Sequence, residues 1–152
     1  MKSFRSALTA TTPHAIGVGL LILRIASGGF LAVGHGWSKL QSGNAGSFPD
    51  PLGIGHAASF YGAVTGELVC GLLVAVGLFT RLACLPAIFT MGVALAIVHR
   101  ADPFFMGGGA AKEPAAIYAA MFLCILLCGP GQYSADFAIF GKGGSGGGSK
   151  KV

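Results

Sequence analysis

Charge is what this sequence lacks. Of its 152 residues only 10 are Lys or Arg and 5 are Asp or Glu, 10% of the chain. A soluble domain carries about 25% charged residues. So small a polar inventory cannot cover a water-facing globule, and the soluble class is excluded. A mean hydropathy of +0.74 and long apolar runs point to the membrane class instead. The ten cations give a net charge of +5, but they are scattered and flank the apolar runs. They read as topology-setting residues rather than a nucleic-acid surface, and nucleic acid is not expected as a partner.

Motifs for metal and thiol chemistry are missing as well. There is no HExxH, no CxxCH and no His pair at i, i+4, so no metal site is expected. The four cysteines, Cys70, Cys84, Cys124 and Cys128, form no C-x-x-C pair and lie in or beside apolar runs. They read as buried small apolar residues. Cys124 and Cys128 stand one helical turn apart, a spacing for stacking rather than a disulfide.

What is present is four apolar runs, at about 15–34, 57–79, 82–98 and 113–128. A helical span needs roughly 17–25 residues. Three runs meet that length, and the fourth is short, opening with Glu113 and Pro114. The runs are apolar nearly all round, as lipid-exposed helices are. Gly28, Gly29, Gly62, Gly66 and Gly71 suggest close helix contact. The expected fold is an all-α membrane protein, a four-transmembrane-helix bundle over residues 15–136. A tail of residues 1–14 precedes it and a flexible Gly/Ser-rich tail, 137–152, follows. The first run continues far past Arg24 with no small-residue cleavage pattern, so it is expected to be an uncleaved span.

Lys and Arg in short loops set orientation. Lys2, Arg5, Arg81, Lys142, Lys150 and Lys151 fall on one side, against Lys39, Arg100 and Lys112 on the other. Both termini are therefore expected in the cytoplasm. The loops 41–55 and 101–112 then face outward, where a site is expected.

Two charges interrupt the apolar runs, Arg24 in the first and Glu67 in the second. A lone charge at that depth costs several kcal/mol, so a partner or a wet cavity is expected. Opposite sign and similar depth predict an Arg24–Glu67 ion pair. It serves either as a clamp between helices or as part of a proton path or quinone pocket. On an α-helical wheel His35 follows Arg24, and His56 precedes Glu67, by eleven residues, which is nearly the same face. Two polar stripes facing each other would make a seam from mid-membrane to the outer end. Trp37, Tyr61 and Tyr118 would stand near its mouth, with His99 at the same level. Three readings of the histidines stay open: ordinary helix-end residues, a quinone pocket, or a metal or haem site. His14 reads as a solvated tail residue.

Four stretches occur in order: "LRIASGGFLAVGHGWSKL", "GELVCGLLVAVGLFTRLA", "IVHRADPFFMGGG" running on to "KEPA", and "GPGQYSAD". Together, from about Leu20 to Asp136, they resemble the DoxX family of small four-helix membrane proteins. The resemblance marks Arg24, Gly34, His35, Gly36 and Lys39 in the first span region. In the second it marks Gly66, Glu67, Gly71, Gly77 and Arg81. Beyond these it marks His99, Glu113, Gly131, Tyr133, Ser134 and Asp136. It implies association with quinol oxidase or thiosulfate:quinone oxidoreductase, in a bacterial or archaeal inner membrane. The first outer loop is longer than the family's common form.

These readings give the candidate set. Glu67, Arg24 and His35 are the catalytic candidates. His99, Glu113, His56, Trp37, Tyr61 and Lys39 are the substrate-contacting candidates. No intrinsic cofactor is expected; quinone is the expected ligand, with lipid and other subunits or further copies as partners. No redox centre is visible, so electrons would need a partner subunit or a direct small-molecule donor such as thiosulfate. A non-catalytic accessory subunit is the alternative, and a small-molecule or ion carrier a third reading. Two further ion pairs are expected: Arg81 with Asp136, and Glu113 with His99 or Arg100. Tyr133 is expected at the interface with its hydroxyl in water.

Overall fold

The computed structural model describes residues 12–141, and every regular element among them is helical. Helix α1 runs Pro13–Ser42, α2 His56–Val76, α3 Thr80–Val98 and α4 Glu113–Cys128. A short α5, Ala135–Phe140, follows. The first three are long and apolar enough to cross a membrane. α4 is also apolar, but its 16 residues rise only about 24 Å. Lys2, Arg5, Lys142, Lys150 and Lys151, which dominate the charge count, lie outside the described residues, as does most of the expected Gly/Ser tail.

α1 packs on α2, α2 on α3, α3 on α4, and α4 returns to α1. Neighbours run antiparallel. Arg24 meets the end of α2 at Val74 and Ala75, whereas Lys39, further along α1, meets Glu67. Both long connections, residues 43–55 and 99–112, therefore lie at one end, the loop end. The turn 77–79 and the segment 129–134 lie at the other, the turn end. Leu31, Val74, Cys84, Phe122 and Ile125 fill the core, while Ile22, Val76, Leu82 and Leu127 stay exposed on the rim. Apolar surface on both faces is what a bundle bathed in lipid requires. α1 and α2 approach so closely that a Cβ on Gly28 would strike the backbone of Gly71 and Ala75.

Charged residues at the turn end grip backbone. A helix leaves four C=O groups unpaired at its end and four N–H groups at its start. Arg24, fully buried, donates to the carbonyls of Val74 (3.4 Å), Ala75 (3.2 Å) and Tyr133 (2.6 Å). It thus caps α2 and ties it to the 129–134 segment. Gly77, at φ +79°, leaves room for that guanidinium, which a Cβ there would strike. Arg81 caps α4 in the same way, donating to Leu126 and Leu127 carbonyls at 3.1 and 3.3 Å. Asp136 caps the start of α3, accepting from the Phe79 amide (2.7 Å), the Thr80 amide (2.9 Å) and the Thr80 hydroxyl (2.7 Å).

Several expectations are corrected here. Arg24 does not pair with Glu67, because its two terminal nitrogens are drawn to carbonyls nearer the turn end, leaving its buried Nε without a partner. Arg81 and Asp136 do not meet; each serves a different helix terminus. The first run does not stop at Gly34. A π-helical turn, Leu31–Trp37, carries α1 on to Ser42, where Gly43 at φ +62° ends it. The boundary drawn at residue 137 falls inside α5. His14 lies in the first turn of α1, with its Nδ1 2.6 Å from the Tyr133 hydroxyl, so that hydroxyl is bonded rather than left to water. Cys70 and Cys84 are buried and free as expected, but Cys124 and Cys128 are exposed.

Candidate functional site

The partner of Glu67 is Lys39. Its Nζ donates to Glu67 Oε2 at 2.6 Å, a charge-assisted bond across α1 and α2. The Glu67 side chain is 6% exposed and the Lys39 side chain 29%, so the pair is sunk but not sealed. Lys39 reaches it because α1 extends beyond its expected end. Its long aliphatic stem then lies along the bundle with the ammonium turned inward.

Two cavities meet at this pair. The larger, about 710 Å³, is a groove on the flank of the bundle between α2 and α3. Phe48, Leu52 and Ile54 of the 43–55 loop line it at the loop end, with Tyr61, Phe89 and Val93 along the helices. Its volume lies within the roughly 300–1,000 Å³ range of small-molecule sites. The smaller, about 230 Å³, lies between α1, α3, α4 and the 99–112 connection. His35, Tyr118, Met91 and Met106 line it, together with residues 109–111. His35 and Tyr118 contact edge to face, with ring centroids 5.7 Å apart. Lys39, Glu67, Ala94 and His99 line both cavities and so form the wall between them.

Each of the three long helices carries a π-helical turn at this level: Leu31–Trp37, Thr65–Val69 and Ala94–Val98. His35 lies within the first, Glu67 within the second, and His99 directly follows the third. The wider turns show as i to i−5 bonds, from the Cys70 amide to Thr65 and from the His99 amide to Ala94 (2.9 Å). Single π turns inside α-helices occur often at functional sites. They also shift the helical face by about one residue, which defeats a wheel drawn at 3.6 residues per turn.

Of the candidate residues the structure gathers Glu67, Lys39, His35 and His99 at the junction, with Tyr61 in the groove. Arg24 lies apart from the junction, on the carbonyls at the end of α2, and lines neither cavity. Trp37 is 49% exposed and lines neither cavity. His56 turns away, its Nδ1 2.6 Å from the Phe48 carbonyl, and braces the loop rather than facing a ligand. Glu113 does not reach His99 or Arg100; it accepts from the Met106 amide at 3.1 Å and shapes the connection beside the small cavity.

Two carboxylates that sequence reasoning passed over build this end. Asp102 holds His99, Oδ2 to Nδ1 at 2.8 Å. Asp50 organises the 43–55 loop, accepting from the Ile54 amide (3.0 Å), the Gly55 amide (2.8 Å) and the Ser59 hydroxyl (2.7 Å). The Ser59 hydroxyl above all, then the Gly55 amide, hold the Asp50 carboxyl below its ordinary range. The "PDP" around Asp50 was the available signal, since Asp beside Pro starts turns and caps backbone. Among the described residues no three His, Cys, Asp or Glu side chains cluster as metal ligands.

Searches of the curated proteins and of the solved structures return no match. Residues 19–100 match the family model of DoxX, more than half of the 152 residues. That stretch holds α1 almost entire, all of α2 and α3, and the residues Lys39, Glu67 and His99 at the cavity junction. The chain belongs to the DoxX family and is a multi-pass membrane protein.

Proposed function

We propose that this protein is a redox-linked membrane component that binds a quinone or quinol head at the Lys39–Glu67 pair. The observation that carries the reading is a largely buried ion pair that lines two cavities at once, a large groove and a smaller pocket holding His35 and Tyr118. An intramembrane ionisable pair is costly and is commonly functional. Lys39 supplies N–H donors for a carbonyl oxygen, and Glu67 supplies an acceptor for a hydroxyl. A proton taken by Glu67 has His35 and His99 as its next stations across the small cavity. Electrons are exchanged with a partner subunit, or are supplied to the quinone by a small soluble donor.

In this reading α4 is the fourth span, its ends made up by the flanking segments. The loop end faces outward and both termini face the cytoplasm of a bacterium or archaeon, as the Lys and Arg count supports. The test is to purify the protein in mild detergent, extract bound lipid and assay quinones by mass spectrometry. Near-stoichiometric quinone in the wild type, lost in a folded Glu67→Gln variant and reduced in His35→Ala, is the expected result. A well-folded wild type without quinone would instead favour an accessory subunit whose ion pair only fixes α1 against α2.

A further inference from the structure

The groove between α2 and α3 has a shape that the head-binding site alone does not explain. It is long and apolar, lies on the flank of the bundle, and one end of it is the Lys39–Glu67 pair itself. The two cavities that meet at the pair differ in size and lining. From the pair toward the flank the lining is Tyr61, Phe89, Val93 and Ile54, with no charged side chain beyond Lys39, Glu67 and His99. From the pair toward the small cavity the lining is His35 and Tyr118 together with Leu31, Met91, Met106 and Ala115. At about 230 Å³ against about 710 Å³, only the groove has room for a long tail on a molecule whose polar head sits at Lys39–Glu67.

We infer that the groove is the tail site of an isoprenoid-tailed quinone. The quinone or quinol enters sideways from the bilayer between α2 and α3, beneath the 43–55 loop. The small cavity is the proton path of the head: two protons leave by it when quinol gives two electrons to the partner subunit, and two enter by it when quinone takes two electrons from that subunit or a small donor. The inference rests on the proposed quinone reading and adds the route, the tail contact and the proton path. Lateral entry suits the ligand, because a long tail dissolved in lipid never has to cross water. It also suits the wall. Lys39, Glu67 and His99 touch both cavities, so a head that stops against them stays on the lipid side while protons pass to or from it on the other. Asp50 and His56 hold the loop over the groove mouth through backbone and Ser59 contacts, without facing the ligand.

Glycine provides the test. A Cβ built on Gly62, in the groove wall, meets nothing within 4 Å, and the same holds for Gly92, which lines neither cavity. Both positions leave open space for a Cβ, and circular dichroism with the thermal midpoint checks that each tryptophan variant folds. Gly62→Trp fills the groove; Gly92→Trp is the matched control. Binding of a long-tailed quinone and of the same ring without its tail is measured for both variants and the wild type.

The expected result is a loss of about tenfold or more for the tailed quinone in Gly62→Trp, because burial scales with apolar area. The tail-less ring stays within about twofold in every protein, since the head contacts are untouched. Unchanged binding of the tailed quinone in folded Gly62→Trp, with the wild type binding it, overturns the tail site and leaves the head site standing. A wild type that binds neither molecule overturns both. Stoichiometric phospholipid in the wild type, displaced in Gly62→Trp while tailed quinone is unaffected, assigns the groove to an acyl chain and also overturns the inference.

Discussion

The two ends of the bundle use charge in different ways. At the turn end Arg24, Arg81 and Asp136 each grip the terminus of a helix other than their own, with backbone groups as the partners. At the loop end Lys39 and Glu67 grip each other, and both open on cavities. Charges committed to backbone are anchored at helix termini and line neither cavity, although Arg24 Nε is buried without a partner. Charges committed to one another can be separated by a ligand that offers the same hydrogen bonds. The contrast teaches that depth in the membrane and opposite sign do not by themselves identify partners. The number of donors does better. A guanidinium carries five N–H donors in a fixed fork and suits several carbonyls at once, whereas an ammonium is a compact point charge.

The largest effect is expected at Arg24. Arg24→Ala strips three carbonyls of their donor and opens a cavity at the end of α2, at a cost of about 3–5 kcal/mol. Thermal unfolding in detergent, followed by circular dichroism, should show a large fall in the midpoint. A lysine there should rescue little, because one ammonium cannot span Ala75 and Tyr133 together. An Arg24→Ala midpoint close to wild type would erase the contrast between the ends.

Glu67→Gln comes next. It keeps the shape and loses the charge, so it should cost about 1–2 kcal/mol of stability while removing ligand binding. The same unfolding experiment, set beside a quinone assay, separates the two effects. If the stability loss matched that of Arg24→Ala, the loop-end pair would be a clamp like its counterparts.

A smaller effect concerns coupling. Since Arg81 and Asp136 cap different helices, Arg81→Ala and Asp136→Ala should add, with an interaction energy under about 0.5 kcal/mol in a double-mutant cycle. A strongly coupled pair would put the two side chains in contact after all.

The smallest is a pH effect confined to the 43–55 loop. The folded Asp50 carboxyl lies below its unfolded value, mainly through the Ser59 hydroxyl. A depressed carboxyl contributes stability above the unfolded value of about 3.9, and that contribution fades as pH falls through the folded value. Exchange of the Ile54 and Gly55 amides should therefore speed up below about pH 4, beyond the intrinsic trend. Asp50→Asn should abolish the transition; a loop equally protected at pH 3 and pH 6 would show that Asp50 does not latch it.

Much of the architecture was legible in the apolar runs, because helices that face lipid on one side and a core on the other are apolar all round. The "GPGQYSAD" stop and the tight turn between the second and third runs were legible too, from backbone rules alone. The site was half legible. Glu67, His35 and His99 were drawn together by level, but Lys39 was read into the loop because nothing in "AVGHGWSK" announces a π-helical turn that prolongs α1. The same turn broke the eleven-residue wheel argument that linked Arg24 to His35. Asp102 and Asp50 escaped because a carboxylate in a loop carries no sign of which backbone amide or ring it will hold.

The most direct test of the contrast pairs Glu67→Gln with Arg81→Gln, scoring bound quinone and thermal midpoint on the same preparations. The account predicts that Glu67→Gln loses its quinone with only a modest fall in midpoint, while Arg81→Gln keeps stoichiometric quinone in its folded fraction. A Glu67→Gln protein that retains stoichiometric quinone would contradict it.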